Sequence, residues 1–170
     1  MTEFRSETAR VLQTHVVAAM RSLGLSATNS PENGISVSAG PTRFSCRLVA
    51  DPAQLRPARR AISRWAGDIG LTPERVEDLA LAVGEALSNS IEHAYSAGSD
   101  ATTGVVEIEG AVEGSVLRVE VRDHGTWREP GSHPGWRGRG ISMIHALADH
   151  AHVEQREGGT TVTMSWSLRD

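Results

Sequence analysis

Leu81-Ala82-Val83-Gly84-Glu85-Ala86-Leu87-Ser88-Asn89-Ser90-Ile91-Glu92-His93-Ala94-Tyr95 is the stretch on which the reading of this chain turns. Its helix begins upstream, with Thr72 as N-cap and Pro73 at the first helical position, where a missing N–H does no harm. Val76, Leu79, Ala80, Val83, Leu87, Ile91 and Ala94 then recur at helical spacing and form one buried stripe. The helix must stop before Gly98. Glu85 and Asn89 stand four apart, so they share a face, roughly opposite the stripe. A solvated face explains an arbitrary Glu and Asn well. Asn in mid-helix nevertheless tends to have a specific partner. An amide oxygen beside a carboxylate also suits a hard cation such as Mg²⁺, which keeps water and phosphate oxygens as its other ligands.

Working outward, a preceding helix places Ala58, Ile62, Trp65, Ala66 and Ile69 on one side, opens near Pro57 and ends at Gly70. Before it, Phe44, Cys46, Leu48 and Ala50 alternate with polar residues as in a half-buried strand. After the long helix come two strands, 104–112 and 115–122, turned at Glu113-Gly114. Leu117, Val119 and Val121 share a face, and that register carries Asp123 onto the apolar side. An ionised carboxylate there needs a donor, such as the amino group of a base. Residues 124–139 are rich in Gly, Pro and Trp and are expected to form a functional lid. A short helix over 140–150 and a closing hairpin, 151–156 and 160–168, turned at Gly158-Gly159, complete the main domain.

The remaining sequence sets limits. The chain has 170 residues, with 17 Lys+Arg against 21 Asp+Glu, a formal charge of −4. That acidic balance speaks against a dedicated nucleic-acid binder, and no stretch approaches the roughly 20 apolar residues that cross a bilayer. With a polar N-terminus that resembles no signal peptide, the expectation is a cytoplasmic protein. One cysteine, Cys46, excludes an internal disulfide, and the spacing of His145, His150 and His152 matches no strong zinc pattern. Residues 1–41 read as an extension. Phe4, Val11, Leu12, Val16, Met20 and Leu23 approach helical spacing, and 24–41 has the composition of a linker. The extension is either free or docks on a partner, and its sequence does not choose. The main domain is expected over 42–170.

Two further groups are weak alone. Gly138-Arg139-Gly140, after Arg137 and before a helix, offers backbone N–H groups and a helix N-terminus to an anion. It lacks the Gly-Lys-Ser/Thr ending of a P-loop and does not follow a strand as a dinucleotide fingerprint must. Gly158-Gly159-Thr160-Thr161 is explained by its hairpin. In order, however, the groups form a stronger pattern. Residues 81–95 resemble the N box of the GHKL (Bergerat-fold) ATPases. Val121-Arg122-Asp123-His124-Gly125 is similar to their first glycine box, Gly138-Arg139-Gly140-Ile141 to the second, and Gly158-Gly159-Thr160-Thr161 to the last. The Asn-x-x-x-His-Ala-Tyr ending and short lid look most like the anti-sigma-factor serine kinases. The resemblance covers about residues 42–168.

The resemblance implies an α+β fold: a two-layer sandwich with a mixed, mostly antiparallel sheet and helices on one face. It implies ATP and Mg²⁺ as cofactors. By position, Asn89 would bind the metal and Glu85 would be the general base toward a serine hydroxyl. Asp123 would accept from the adenine amino group, with Gly125 allowing close approach and Thr160 supporting the contact through water. Gly138 and Gly140 would line the phosphates, which Arg137 and Arg139 would neutralise. The expected partners are an anti-anti-sigma factor as phosphorylation substrate and a sigma factor, in a homodimer. Arg59 and Arg60, on the helix before the N box, are either partner contacts, Arg being favoured at interfaces, or an exposed basic face. One departure stands in the first glycine box, where Trp127 occupies the family's final Gly position. An alternative reading is a nucleotide-binding interaction module without kinase activity. The catalytic half of a sensor histidine kinase is disfavoured, because only about 40 residues precede the domain and no phospho-accepting helix pair is visible.

Overall fold

Alternation at every second residue turns Phe44, Cys46 and Leu48 inward and leaves Arg43, Ser45 and Arg47 exposed. The same period repeats along four strands and builds a sheet with one apolar and one charged face. The computed structural model describes residues 26–30, 34–94, 104–125, 139–156 and 158–168. In chain order these form β1 (Ser26–Ser30), β2 (Ile35–Ala39), β3 (Arg43–Val49), a 3-10 turn (Pro52–Gln54), α1 (Leu55–Asp68) and α2 (Pro73–Ala94). After these come β4 (Val105–Glu113), β5 (Val116–Asp123), α3 (Arg139–Leu147), β6 (His150–Arg156) and β7 (Gly159–Ser167). The strands make one seven-stranded sheet in the order β1-β2-β3-β4-β5-β7-β6. Among the described residues every pairing is antiparallel, where a mixed, mostly antiparallel sheet was expected.

The register lines up the inward residues in rows. Cys46 faces Ile108, which faces Val121, then Val162. The next row runs Leu48, Val106, Asp123. Onto this face α2 lays Leu79, Ala82, Val83, Ala86 and Leu87, all at 0% exposure. Burial on this scale supplies roughly 1.5–3 kcal/mol for each large side chain, the dominant favourable contribution to the fold. Beside α2, α1 buries Ala58, Ile62, Trp65 and Ala66. The Trp65 ring occupies the place where a Cβ on Gly110 would stand, 2.6 Å from its nearest ring atom, and its indole N–H donates to the Gly40 carbonyl at 2.8 Å. Any side chain at position 110 would lift α1 off the sheet. Cys46 lies in this core, and burial pushes its thiol up to about 12, so it stays protonated and unreactive at neutral pH.

Local chemistry explains the helix ends. Gly70, at φ +94, closes α1 as its N–H returns to the Gly67 carbonyl and that of Leu71 to Ala66. Thr72 caps α2 through Oγ1, which accepts from Arg75 N at 3.4 Å. The helix α1 begins two residues before Pro57, which therefore lies in the first turn, where no backbone bond is lost.

Two expectations are corrected. Residues 24–41, read as a linker, contain β1 and β2, and β2 pairs with β3 along its whole length. Alternation of Ile35, Val37 and Ala39 against Ser36 and Ser38 is a strand pattern written in small residues. The amphipathic helix expected over residues 4–23 lies outside the described residues. The helix expected over 140–150 stops at Leu147, and His150 already belongs to β6. Asp149 makes that turn. Its N–H donates to Ser165 O at 3.0 Å, and its carboxylate accepts from Ser167 N and from Arg75, both at 2.7 Å. Three elements are thereby tied at one residue.

The Ser167 N–H, with help from the Arg75 guanidinium, holds the Asp149 carboxyl below the usual carboxylate range. A carboxylate shifted this way stabilises the fold above the unfolded value near pH 4 and loses that contribution as pH falls through the lowered folded value. Asp149→Asn should therefore lower stability by about 1 kcal/mol at pH 7, a partly exposed pair being discounted for solvent. The difference from wild type should shrink below about pH 4, as read by urea unfolding across pH. A difference independent of pH would show that charge is not what Asp149 contributes.

Candidate functional site

The stripe of α2 that seals the core decides where Glu85 and Asn89 go. With Ala82, Val83, Ala86 and Leu87 against the sheet, the 100° step per residue puts Glu85 and Asn89 on a flank of the helix. Both are half-buried and not on the far solvent face that their spacing suggested. The element on that flank is α3. At its first turn a Cβ on Gly140 would stand 3.1 Å from Glu85 Oε2, 3.2 Å from Asn89 Nδ2 and 3.5 Å from Asn89 Oδ1. A helix N-terminus thus arrives directly on the two polar side chains, with bare backbone as the contact surface. Such an end carries unpaired N–H groups and a positive partial charge, which favours an anion.

Asp123 lies at the end of β5, inward as its register demanded and only 4% exposed. Its Oδ1 accepts from Gly125 N at 3.1 Å and from Thr160 N at 3.2 Å. Neither bond uses Oδ2, which leaves that oxygen as the acceptor for an external donor. Thr160, at 9% exposure, and Gly125 are both buried. Gly159 closes this corner. At φ +146 its Cα packs so tightly on the Asp123 carbonyl that an added Cβ would overlap the oxygen. Chain reversal needs one glycine at this hairpin. The second, pressed on Asp123, is the signal in Gly158-Gly159 that a plain hairpin does not explain.

The residues between these two clusters, 126–138, run from the end of β5 to the start of α3. The expected lid falls almost wholly in this stretch. Trp127, Arg137 and Gly138 lie outside the described residues, and so does the side chain of Arg139. His124 turns away from the site, its Nε2 lying 3.2 Å from Glu107 on the outer sheet face, where Arg47 also meets Glu107 at 3.3 Å. On the opposite flank of α2, Gly84 makes room for Arg59. A Cβ on Gly84 would stand 3.0 Å from Arg59 Cδ, so the arginine stem lies across α2 one residue from Glu85.

Asn89 and Glu85 bring one amide oxygen and one carboxylate side by side, oxygen donors of the kind a hard divalent ion accepts. Among the described residues no group of three or more His, Cys, Asp or Glu forms a metal site. A hard ion at Asn89 would therefore draw its remaining ligands from water and a phosphorylated ligand, as Mg²⁺ commonly does. No described helix is long and apolar enough to cross a membrane.

Comparison with known proteins agrees with this geometry. Residues 48–166 match the histidine kinase-like ATPase domain. The serine-protein kinase RsbW of Bacillus licheniformis is 30% identical over 131 residues, covering 68% of this chain and 80% of that protein. The anti-sigma F factor of Clostridium acetobutylicum is 31% identical over 119 residues, covering 63% and 80%. Serine-protein kinase RsbW of Listeria monocytogenes is 33% identical over 84 residues, and there the chain spans about half of its relative, 52%. Among solved structures, the RsbU and RsbW domains of a Mycobacterium tuberculosis protein superpose with a TM-score of 0.57 at 24% identity, over 72% of this chain and 32% of that one, a likeness of fold.

The two glycines of the β6–β7 turn separate backbone strain from steric overlap. Gly158→Ala meets open space and should cost only about 1 kcal/mol for its positive φ. Gly159→Ala adds overlap with the Asp123 backbone and should cost about 3 kcal/mol or more. Thermal unfolding of the two variants checks the order. Equal losses would mean that the Gly159 contact is not tight.

Proposed function

Because this chain belongs to the histidine kinase-like ATPase family, in the group that holds serine-protein kinase RsbW and the anti-sigma F factor, we propose that it is an Mg²⁺·ATP-dependent protein serine kinase. The proposed substrate is a serine on an anti-anti-sigma partner, and the proposed second partner is a sigma factor held in an inactive complex. The observation that carries this reading is Gly140 set against Glu85 and Asn89, which joins a base, a metal ligand and an anion-seeking helix end.

In this mechanism Asp123 Oδ2 accepts from the adenine amino group, while Gly125 N and Thr160 N hold the carboxylate in place. Asn89 would hold Mg²⁺, which when bound would supply charge neutralisation at the phosphates. The N-terminus of α3 at Gly140 is proposed to face the transferring phosphoryl group, and Gly138, Arg137 and Arg139, by their place in the sequence, are the proposed further phosphate contacts. Glu85 takes the proton of the attacking serine hydroxyl as its oxygen bonds to the γ-phosphorus and the bond to ADP breaks. Phosphoryl transfer asks mainly for alignment and electrostatic stabilisation, so these groups form a sufficient set. Arg59, laid across Gly84, and Arg60, exposed on α1, are proposed contacts to the partner that presents the serine. A cytoplasmic homodimer completes the reading.

Two experiments test it. Asp123→Ala removes the acceptor aimed at the base, and a hydrogen bond to a charged group is worth about 1.5–3 kcal/mol, so ATP and ADP affinity should fall roughly ten- to a hundredfold. Unchanged affinity by calorimetry would remove Asp123 from the adenine contact. Second, Asn89→Ala should weaken Mg·ATP binding and abolish transfer together. Glu85→Gln should keep nucleotide binding while single-turnover phosphorylation of the partner serine drops by about 10² to 10⁴. Wild-type transfer by Glu85→Gln would end the general-base assignment. Nucleotide binding by wild type without transfer to any partner serine would favour an interaction module.

A further inference from the structure

The strand β2 pairs with β3 outside the 48–166 span that matches the family, and it widens the sheet beyond the cover of α1. The result is a groove of about 510 Å³ between β2 and the outer flank of α1. Its floor is apolar: Ile35, Val37 and Ala39 from the strand, Ala61 and Trp65 from the helix. The three strand residues are only half-buried, although they are the inward row of β2. One rim is basic. Arg56, Arg60 and Arg64 follow at intervals of four along α1, so they point the same way over about 12 Å of helix. None of the three makes an ion pair among the described residues. Along α1 four arginines stand against one acid, Asp68, which lines the end of the same groove, in a chain whose net charge is −4.

We infer that this groove docks an acidic amphipathic helix of a partner protein, its apolar stripe on Ile35, Val37 and Ala61 and its carboxylates on Arg56, Arg60 and Arg64. Three arginines against the single acid Asp68 leave the edge of this apolar trough net positive, a charge best matched by an opposite charge that arrives with an apolar surface. Carboxylates repeating every four residues on a helix meet arginines repeating every four on α1. Arg is also suited to such contacts because its planar fork pairs bidentately with a carboxylate. The volume admits a row of side chains and not a whole helix, which matches the helix-in-groove mode, in which anchors at i, i+3/i+4 and i+7 enter the groove. The chain's own residues 1–25 are the wrong charge: Arg5, Arg10 and Arg21 outnumber Glu3 and Glu7. A recessed floor also does not suit a flat lipid surface. The groove uses none of Glu85, Asn89 or Asp123 but shares Arg60 with the proposed serine-presenting contact, so its occupancy is read by peptide binding without nucleotide and not by transfer.

The probe is a fluorescein-labelled synthetic 16-residue helical peptide with Leu on one stripe and Glu beside it, titrated against the full-length protein without nucleotide. Anisotropy should report micromolar binding that weakens at least tenfold between about 50 and 500 mM salt, as expected for exposed ion pairs. The combined Arg60→Glu and Arg64→Glu variant should lose at least tenfold in affinity. Val37→Asp should lose a similar amount through the floor. Arg118→Glu, the same charge change on the outer sheet face, should stay within twofold, and circular dichroism should show all variants folded. Several results would overturn the inference: no binding by wild type, equal binding of a peptide with Gln for Glu, or wild-type affinity in the double arginine variant. Two more would do so by naming another occupant. One is capture by phosphatidylserine vesicles that needs Arg60 and Arg64. The other is a change of sedimentation coefficient in the double variant alone, which would assign the groove to a second copy.

Discussion

Everything in this molecule hangs on the seal between α2 and the inner face of the sheet. Leu79, Ala82, Val83, Ala86 and Leu87 have no exposed surface, and truncating one large member of such a set typically costs about 2–5 kcal/mol. That seal leaves the helix no freedom to rotate. With the rotation fixed, Glu85 and Asn89 must lie on the flank toward α3, and Gly84 on the flank toward α1. The chemistry of α2 is thus a by-product of its packing: polar residues adjacent to the seal are half-buried and held, without contributing to the core. Small residues within the seal also matter. Ala82 and Ala86 are fully buried and present only a methyl group to the sheet.

A second constraint acts at the end of β5. Strand alternation forces position 123 inward, and the residue there is a carboxylate where Leu48 and Val106 supply the rest of the row. An ionised group in that setting is tolerable only because two backbone N–H groups converge on Oδ1. One of them, from Thr160, exists because Gly159 brings β7 hard against the Asp123 backbone. The corner is therefore over-determined: register, glycine contact and hydrogen bonds each place the same oxygen. A carboxylate so fixed keeps Oδ2 outside both bonds and in one position.

Much of this was legible in the chain. The limits of α2, the hairpin between β4 and β5 and the inward turn of Asp123 all follow from periodicity and caps, because each is decided within a few residues. The strands β1 and β2 were not legible. Ser26–Ser30 and Ile35–Ala39 are built from Ser, Ala, Thr and Asn with only two large apolar residues, and their pairing with β3 outweighs a composition that reads as a linker. The contact of Gly140 with Glu85 and Asn89 joins positions about fifty residues apart, so no local pattern could reveal it. Asp149 escaped notice for the same reason, since its partners Arg75 and Ser167 come from distant elements.

The hairpin that sequence concealed also changes what α1 is for. Without β2, the outer flank of α1 would face solvent, and a row of arginines there would be an ordinary charged surface, each worth little. With β2 in place, Arg56, Arg60 and Arg64 border an apolar trough, and the same charges become one side of a recess. Meanwhile Arg59, one residue away in sequence, is turned by the helical step onto Gly84, next to Glu85 in α2. One fourteen-residue helix therefore carries arginines toward both neighbours, β2 on one flank and α2 on the other. The two recesses adjoin: Arg56, Arg60 and Arg64 border both, so a chain seated against β2 and one seated against α2 would meet on the same row of arginines.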